Sequence, residues 1–258
     1  IFGTVVFSLI GIFVIFGISL NTVITFLGAI TAVILLVFRD TILGFVTGIH
    51  VSTSKNLKIG DWIGIPKYNI EGNIQDINLL TTKIVNFDKT ISTIPTYDLL
   101  STEIRNHQVM YEGSSRRIKR SIYFNIKSFK FVDDEFYEKV KDINLISEYL
   151  DRKLREIAES KKNIPHAERI INGQQLTNIG LFRNYVLNYL KNNPKVDQDE
   201  IVLVRQLEIS PQGMPLEIYC FANKAELVDY ERIQADIFDH ILTAAQEFDL
   251  EIMQVAKA

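Results

Sequence analysis

Charge is missing from the first part of this chain. Residues 1–38 contain no Asp, Glu, Lys, Arg or His, while all 59 Asp, Glu, Lys and Arg side chains lie in the 220 residues from Arg39 onward. Cysteine is nearly missing too. Cys220 stands alone, which excludes a disulfide or a paired-cysteine metal site within these residues. Its strand-like surroundings suit a small buried hydrophobe. There is no Gly-rich phosphate loop and no nucleophile elbow. His50, His107, His166 and His240 lie far apart in the sequence. Asp236 and His240, at i, i+4, have the spacing of metal ligands, but an ion pair on a helix face explains the same spacing more simply. An enzyme is therefore the weakest reading, and no cofactor is expected. A net charge of −3 gives no support for nucleic acid as a partner.

An uncharged run of 38 residues is too long for one straight membrane crossing, which takes about 20, and is about right for two. The natural break is Gly17-Ile18-Ser19-Leu20-Asn21-Thr22, with Asn21 or Thr22 as the expected cap. Residues 1–18 read as a lipid-facing anchor helix. A secretory signal fits poorly, because it needs a basic start and a shorter apolar core. The abrupt beginning at Ile1 gives the expectation that further membrane helices precede it.

Residues 22–38 read as a second membrane helix. Gly28, Ala29 and Ala32 are small, and small residues let helices approach closely in lipid. Below them come Leu35, Leu36 and Phe38. Gly28, Ala32 and Leu36 share one face. That face either packs two helices of one subunit or, with several copies around an axis, lines a pore narrowing toward Leu36, where large apolar side chains exclude water. Arg39 and Asp40 mark the exit from hydrocarbon, since charge at the bilayer centre is costly. Ile42, Phe45, Val46 and Ile49 then recur at helical spacing, giving an interfacial helix over 40–53. Gly44 and Gly48 permit close contact with a neighbour. From Arg39 to Arg120 there are 11 Lys and Arg against 8 Asp and Glu, and beyond Arg120 17 against 23. The basic excess beside the membrane predicts a cytoplasmic C-terminal part.

The period changes over 54–110. Short alternating runs at Trp62–Ile65, Asn73–Asn78, Thr82–Asn86 and Thr90–Ile94 predict strands. Gly60-Asp61 and Glu71-Gly72 are expected to be tight turns, and Phe87–Thr90 a hairpin tip. So many short strands in about 50 residues suggest a small barrel.

The run from the small-residue helix through LKIGDWIGI, EGNIQDINLLTTKI and ISTIPTYDLL resembles the small-conductance mechanosensitive ion channel family. LTNIGLFRNYVLNYLKNNP, LVRQLEIS, GMPLEIYCF and YERIQADIFDHIL resemble its miniconductance branch. The resemblance implies a membrane α-helical pore region, an Sm-like β-barrel domain and an α+β C-terminal domain. It also implies a homoheptamer in the bacterial inner membrane, multi-pass, with cytoplasmic C-terminal domains. Tension would open its pore to ions and small solutes during hypoosmotic shock, with membrane lipids as partners. The gate would be Leu36, with Leu35, Ala32 and Gly28 above it and Phe38 nearby. Arg39 and Asp40 would form the kink, where simpler members have a glycine, and Gly44 and Gly48 would complete the hinge. Pro95-Thr96 stands where the family has Pro-Asn.

Residues 111–258 predict a cytoplasmic α/β domain of split βαβ character, with an inserted helical segment at about 133–193. The run Arg116–Arg120 reads either as a solvated flank to a strand starting at Ser121, or as a contact for anionic lipid or for the portal region. Helices are expected from Asp133 to Ser160 with a break near Asn144, from Ile179 to Leu190, and from Tyr230 to Phe248. Strands are expected at Glu200–Ile209, Leu216–Ala222 and Glu251–Val255. The enlarged insertion also motivates a competing function, a membrane-bound osmotic sensor or scaffold whose soluble domain recruits a partner.

Overall fold

The structure, a computed structural model, describes residues 19–53 and 57–254, with Thr4, Ser8, Gly11, Ile15 and Gly17 ahead of them. The anchor helix expected over 1–18 lies largely outside the described residues. The chain divides into two compact units, 1–108 and 109–258.

In the first unit, α1 spans Leu20–Val37 and α2 spans Arg39–Thr53. The cap of α1 is Ser19, not Asn21 or Thr22. Its extended backbone lets Oγ accept the Thr22 N–H at 3.3 Å, the reach of an N-cap to the third helical residue. Thr22 Oγ1 pairs instead with Ser19 Oγ at 2.8 Å.

Five strands follow: β1 Trp62–Ile65, β2 Ile70–Ile77, β3 Thr81–Asn86, β4 Ile91–Pro95 and β5 Arg105–Asn106. They form one antiparallel sheet in the order β4-β3-β2-β1-β5, with β4 and β5 at its edges. β-Branched residues suit a pleated, half-buried surface. Here Ile63, Ile65, Ile74, Ile84 and Ile94 join Leu99 to make a core in which none is more than 5% exposed. The hairpin tip at Phe87–Thr90 is formed: Lys89 adopts φ 70°, and Asp88 Oδ1 accepts the Thr90 N–H at 2.9 Å.

One expected turn is displaced. Glu71 and Gly72 lie inside β2, and the reversal is made by Pro66–Tyr68 with Asn69 at φ 51°. Gly72 has a different reason to be glycine. A Cβ there would fall 2.1 Å from the Val85 carbonyl oxygen, so β3 can pair this closely with β2 only where no side chain stands.

The β2–β3 loop, Asn78–Leu80, is tied from behind by Thr96. The Thr96 N–H donates to the Leu80 carbonyl at 3.0 Å, and its hydroxyl donates to the Asn78 carbonyl at 2.7 Å. Thr82 Oγ1 lies 3.0 Å from Thr96 Oγ1, and both residues are fully buried.

In the second unit, β6 Arg116–Phe124, β7 Leu203–Gln206 and β8 Met214–Ala222 form an antiparallel sheet in the order β6-β8-β7. Helices α3 Asp134–Val140, α4 Asn144–Lys161 and α5 Asn178–Lys191 carry the chain from β6 to β7, and α6 Leu227–Ala244 follows β8. With β8 between β6 and β7, this is a split βαβ arrangement within an α+β unit. The expected long C-terminal helix ends at Ala244 and tightens into a 3-10 turn through Phe248. Of the expected terminal strand, Ile252 bridges Phe124.

The basic run does not flank a strand. Arg116–Arg120 is the first half of β6, and alternation sends its side chains to two faces. Ile118 is fully buried. The Arg116 guanidinium covers the Tyr230 ring and that of Arg120 covers the Phe238 ring, each at 4.4 Å. On the opposite face Lys119 lies 3.8 Å from Glu217, which Arg205 holds at 2.7 Å.

Two predictions follow from this packing. Thr96→Val keeps the shape and removes the hydroxyl, and should destabilise the sheet by about 1–3 kcal/mol, read as lost hydrogen-exchange protection at Thr96 and its neighbours. Asp249 concerns pH. Hydrogen bonds from Lys130 and Lys139, at 2.8 and 2.7 Å, hold its carboxyl below the ordinary value of 3.8. The stabilisation is therefore full above that value and is lost as pH falls through the lowered one. The gap in thermal midpoint between wild type and Asp249→Asn should close as pH drops from about 6 to about 2.

Candidate functional site, the bent helix pair and its seat

α1 carries no charge, and its backbone absorbs its hydroxyls. Thr25 Oγ1 donates to the Asn21 carbonyl and Thr31 Oγ1 to the Leu27 carbonyl, each at 2.8 Å, so neither needs water. Apolar side chains stand exposed around it. Phe26, Val33, Leu36 and Val37 are each at least 59% exposed, an apolar surface that a soluble monomer rarely presents. No single helix among the described residues is long and apolar enough to cross a membrane. The pair Asn21–Val37 and Arg39–His50 meets that requirement together, bent by 59°.

The bend sits on Phe38, at φ −94°, ψ 6°. Its N–H ends the first ladder on the Ile34 carbonyl, and its own carbonyl starts the second by accepting from Ile42. Neither Pro nor Gly is needed. Arg39 follows the C-terminus of α1, and Asp40 lies in the first turn of α2. A cation at a helix end and an anion at a helix start are each favoured by the macrodipole. The charged pair thus supports one helix ending where the next begins.

The described residues place the expected pore positions as follows. A Cβ at Gly28 would meet nothing within 4 Å, and Ala32 is exposed. Leu35 is 55% and Leu36 73% exposed. At 100° per residue, Gly28, Ala32, Leu35 and Leu36 fall within about 100° of one another, whereas Phe38 lies about 200° on from Leu36.

Gly44 and Gly48 meet a neighbour, but it belongs to the same chain. A Cβ on Gly44 would lie 2.4 Å from the Leu79 carbonyl oxygen, and one on Gly48 would lie 3.9 Å from Leu79 Cδ1. Between them Thr47 is 3% exposed. One face of α2 is therefore seated on the Asn78–Leu80 loop, which Thr96 ties to the sheet. Ile42, Phe45, Val46 and Ile49 remain outward, each 46% exposed or more. Sequence reasoning missed Leu79, Thr47 and Thr96. The available signal was the pair Leu79-Leu80 in a hairpin loop, where polar turn residues are the rule.

The other candidates separate. Asp236 pairs with Lys195 at 2.6 Å, not with His240. His240 Nε2 is 2.7 Å from the Tyr185 hydroxyl, and its ring stacks on Tyr189 at 4.1 Å. Cys220 is fully buried, and burial pushes its thiol up to about 12. Among the described residues no group of three or more potential metal ligands converges.

Two family models match, and together they cover more than half of the chain. "Mechanosensitive ion channel, beta-domain" matches residues 40–109, and "Mechanosensitive ion channel MscS, C-terminal" matches 167–252. The chain is 24% identical over 231 residues to the low conductance mechanosensitive channel YnaI of Escherichia coli, covering 90% of this chain and 53% of that protein. It is 31% identical over 90 residues to the small-conductance mechanosensitive channel MscMJ of Methanocaldococcus jannaschii, covering 35% and 25%. It thus spans about half or less of these relatives. Among solved structures, Arabidopsis thaliana MSL1 superposes with TM-score 0.61 at 15% identity, over 93% of this chain and 68% of that one. Helicobacter pylori MscS in its closed state gives 0.54 at 16%, over 94% and 74%. The matched families are channels, not enzymes, and the chain belongs to the small-conductance mechanosensitive channel family.

Proposed function

We propose that this chain is the pore-forming and cytoplasmic part of an ion channel opened by membrane tension. The observation that carries this is the bent pair. An uncharged helix with apolar side chains exposed around it turns at Arg39-Asp40 into a helix whose inner face is seated on a folded sheet. Stretching a bilayer favours whichever state occupies more in-plane area, so tension shifts the population toward a wider ring of helices.

In this reading the helices span the bacterial inner membrane, the C-terminal parts are cytoplasmic, and copies of the chain, seven by the family resemblance, surround the pore. The three parts are 1–53, 54–110 and 111–258, the sheet curls into an Sm-like barrel, and the segment at about 133–193 enlarges the last part in the manner of the miniconductance branch. Leu36 forms the constriction with Leu35 beside it, and Ala32 and Gly28 line the wider part above. A ring of leucines closes the pore by excluding water. Phe38, Arg39 and Asp40 form the bend, and Gly44 and Gly48 the seat. Opening under hypoosmotic shock releases ions and small solutes.

Patch recordings from the full-length protein in liposomes under graded suction should show single-channel events, and silence at lytic tension would sink the reading. Leu36→Ser should wet the closed pore and lower the opening threshold. An unchanged threshold with no leak removes Leu36 as the gate. Gly44→Ala must push α2 off the Leu79 carbonyl and should shift the threshold. Gly48→Ala meets only an ordinary contact and should not, so equal thresholds for the two would rule out the seat as part of gating.

A further inference from the structure

Between α4 and α5 the chain makes a turn, 165–173, that the proposed pore does not use. The Arg169 N–H donates to the His166 carbonyl at 3.1 Å, and the Asn172 N–H to the Arg169 carbonyl at 2.9 Å. The Asn172 side chain latches the turn shut. Its Nδ2 donates to the same His166 carbonyl at 2.8 Å and reaches the Pro165 carbonyl at 3.5 Å. Gly173 follows at φ 89°, where a Cβ would lie 3.0 Å from Ile164 Cδ1 and 3.4 Å from Lys161 Cγ. Both the backbone conformation and the space require glycine there.

That glycine makes its neighbour reactive. The Cγ of an asparagine can be attacked by the backbone nitrogen of the next residue, and a side chain on that residue obstructs the approach. Asn172 is the only asparagine in the sequence followed by glycine, and most of the others precede Ile, Leu, Phe or Tyr. Its nucleophile is untied, since among the described residues nothing accepts the Gly173 N–H. Gly173 is exposed and Asn172 half-buried, so water and hydroxide reach both. The Nδ2 hydrogen bond restrains Cγ, but exposed turns open locally at little cost.

We infer that Asn172 is a self-modification site whose conversion unlatches this turn. Hydroxide removes the Gly173 amide proton, the nitrogen bonds to Asn172 Cγ, and the Cγ–Nδ2 bond breaks, releasing ammonia and leaving a cyclic imide. Water then opens the imide at Cγ to give aspartate, or at the main-chain carbonyl to give isoaspartate, which adds a methylene to the backbone. Either way the amide donor is lost and an acceptor-only carboxylate is formed. In the aspartate product that carboxylate faces the His166 carbonyl, and the latch becomes a repulsion.

Peptide mapping by mass spectrometry, on full-length protein incubated in mildly alkaline buffer, tests the chemistry. Asn172 should convert to aspartate and isoaspartate faster than every other asparagine, and more slowly at neutral pH. Asn172→Gln, whose imide ring would be one atom larger, should abolish conversion at that position. Conversion at Asn172 no faster than at the asparagines before Ile or Leu overturns the site. Asn172→Asp tests the latch. Trypsin should cut after the exposed Arg169 faster than in wild type, while cuts elsewhere keep their rates. Equal cutting at Arg169, or faster cutting everywhere alike, overturns the unlatching. Neither result depends on whether the protein conducts.

Discussion

The first unit depends on one close approach, the backbone of α2 at Gly44 against the carbonyl of Leu79. The gap is smaller than any side chain. It exists because Thr96 holds the Asn78–Leu80 loop from behind through its N–H and its hydroxyl. Thr96 is itself fully buried against Thr82, so the loop cannot move without disturbing the sheet. The chain of contacts runs from a helix face, through a carbonyl, to a buried hydroxyl pair. Each link is polar or steric, and none relies on the hydrophobic core alone. The direction of α2 is therefore set by the sheet.

Much of this architecture was legible from the residues. The uncharged run and the Arg39-Asp40 break located α1, α2 and the bend, because hydrophobicity and charge act locally. Alternation located β1, β3 and β4 for the same reason. Errors arose where a local signal had a distant cause. Gly72 reads as a turn residue, yet it is glycine because the paired strand β3 comes too close for a side chain. Arg116–Arg120 reads as a solvated run, yet alternate members lie on Tyr230 and Phe238 from a helix more than 100 residues later. Asp236 and His240 read as a pair, yet each finds its partner on another element. The seat of α2 was only half legible: Gly44 announced a close contact, but its partner Leu79 and the tie at Thr96 belong to other segments that only folding brings together.

The second unit is organised differently. Its sheet carries cations on both faces, and each has a partner on the protein. Arg116 and Arg120 lie on aromatic rings, and Lys119 and Arg205 converge on Glu217, which is 4% exposed. A buried carboxylate needs such partners, since an unpaired charge there would be strongly destabilising. The same sheet carries Cys220 in its centre strand, where burial keeps the thiol protonated.

The bend is concentrated at Phe38. Its ψ is 6°, and an ordinary helical residue has about −42°. Rotation about one Cα–C bond by some 50° is comparable with the 59° between the two helices. The bend is thus carried by one residue, whose φ of −94° also departs from the helical −63°. A glycine at that position would swivel freely into left-handed space. Phenylalanine has a Cβ that disfavours this, so the residue at the bend is confined to the right-handed side of the backbone map.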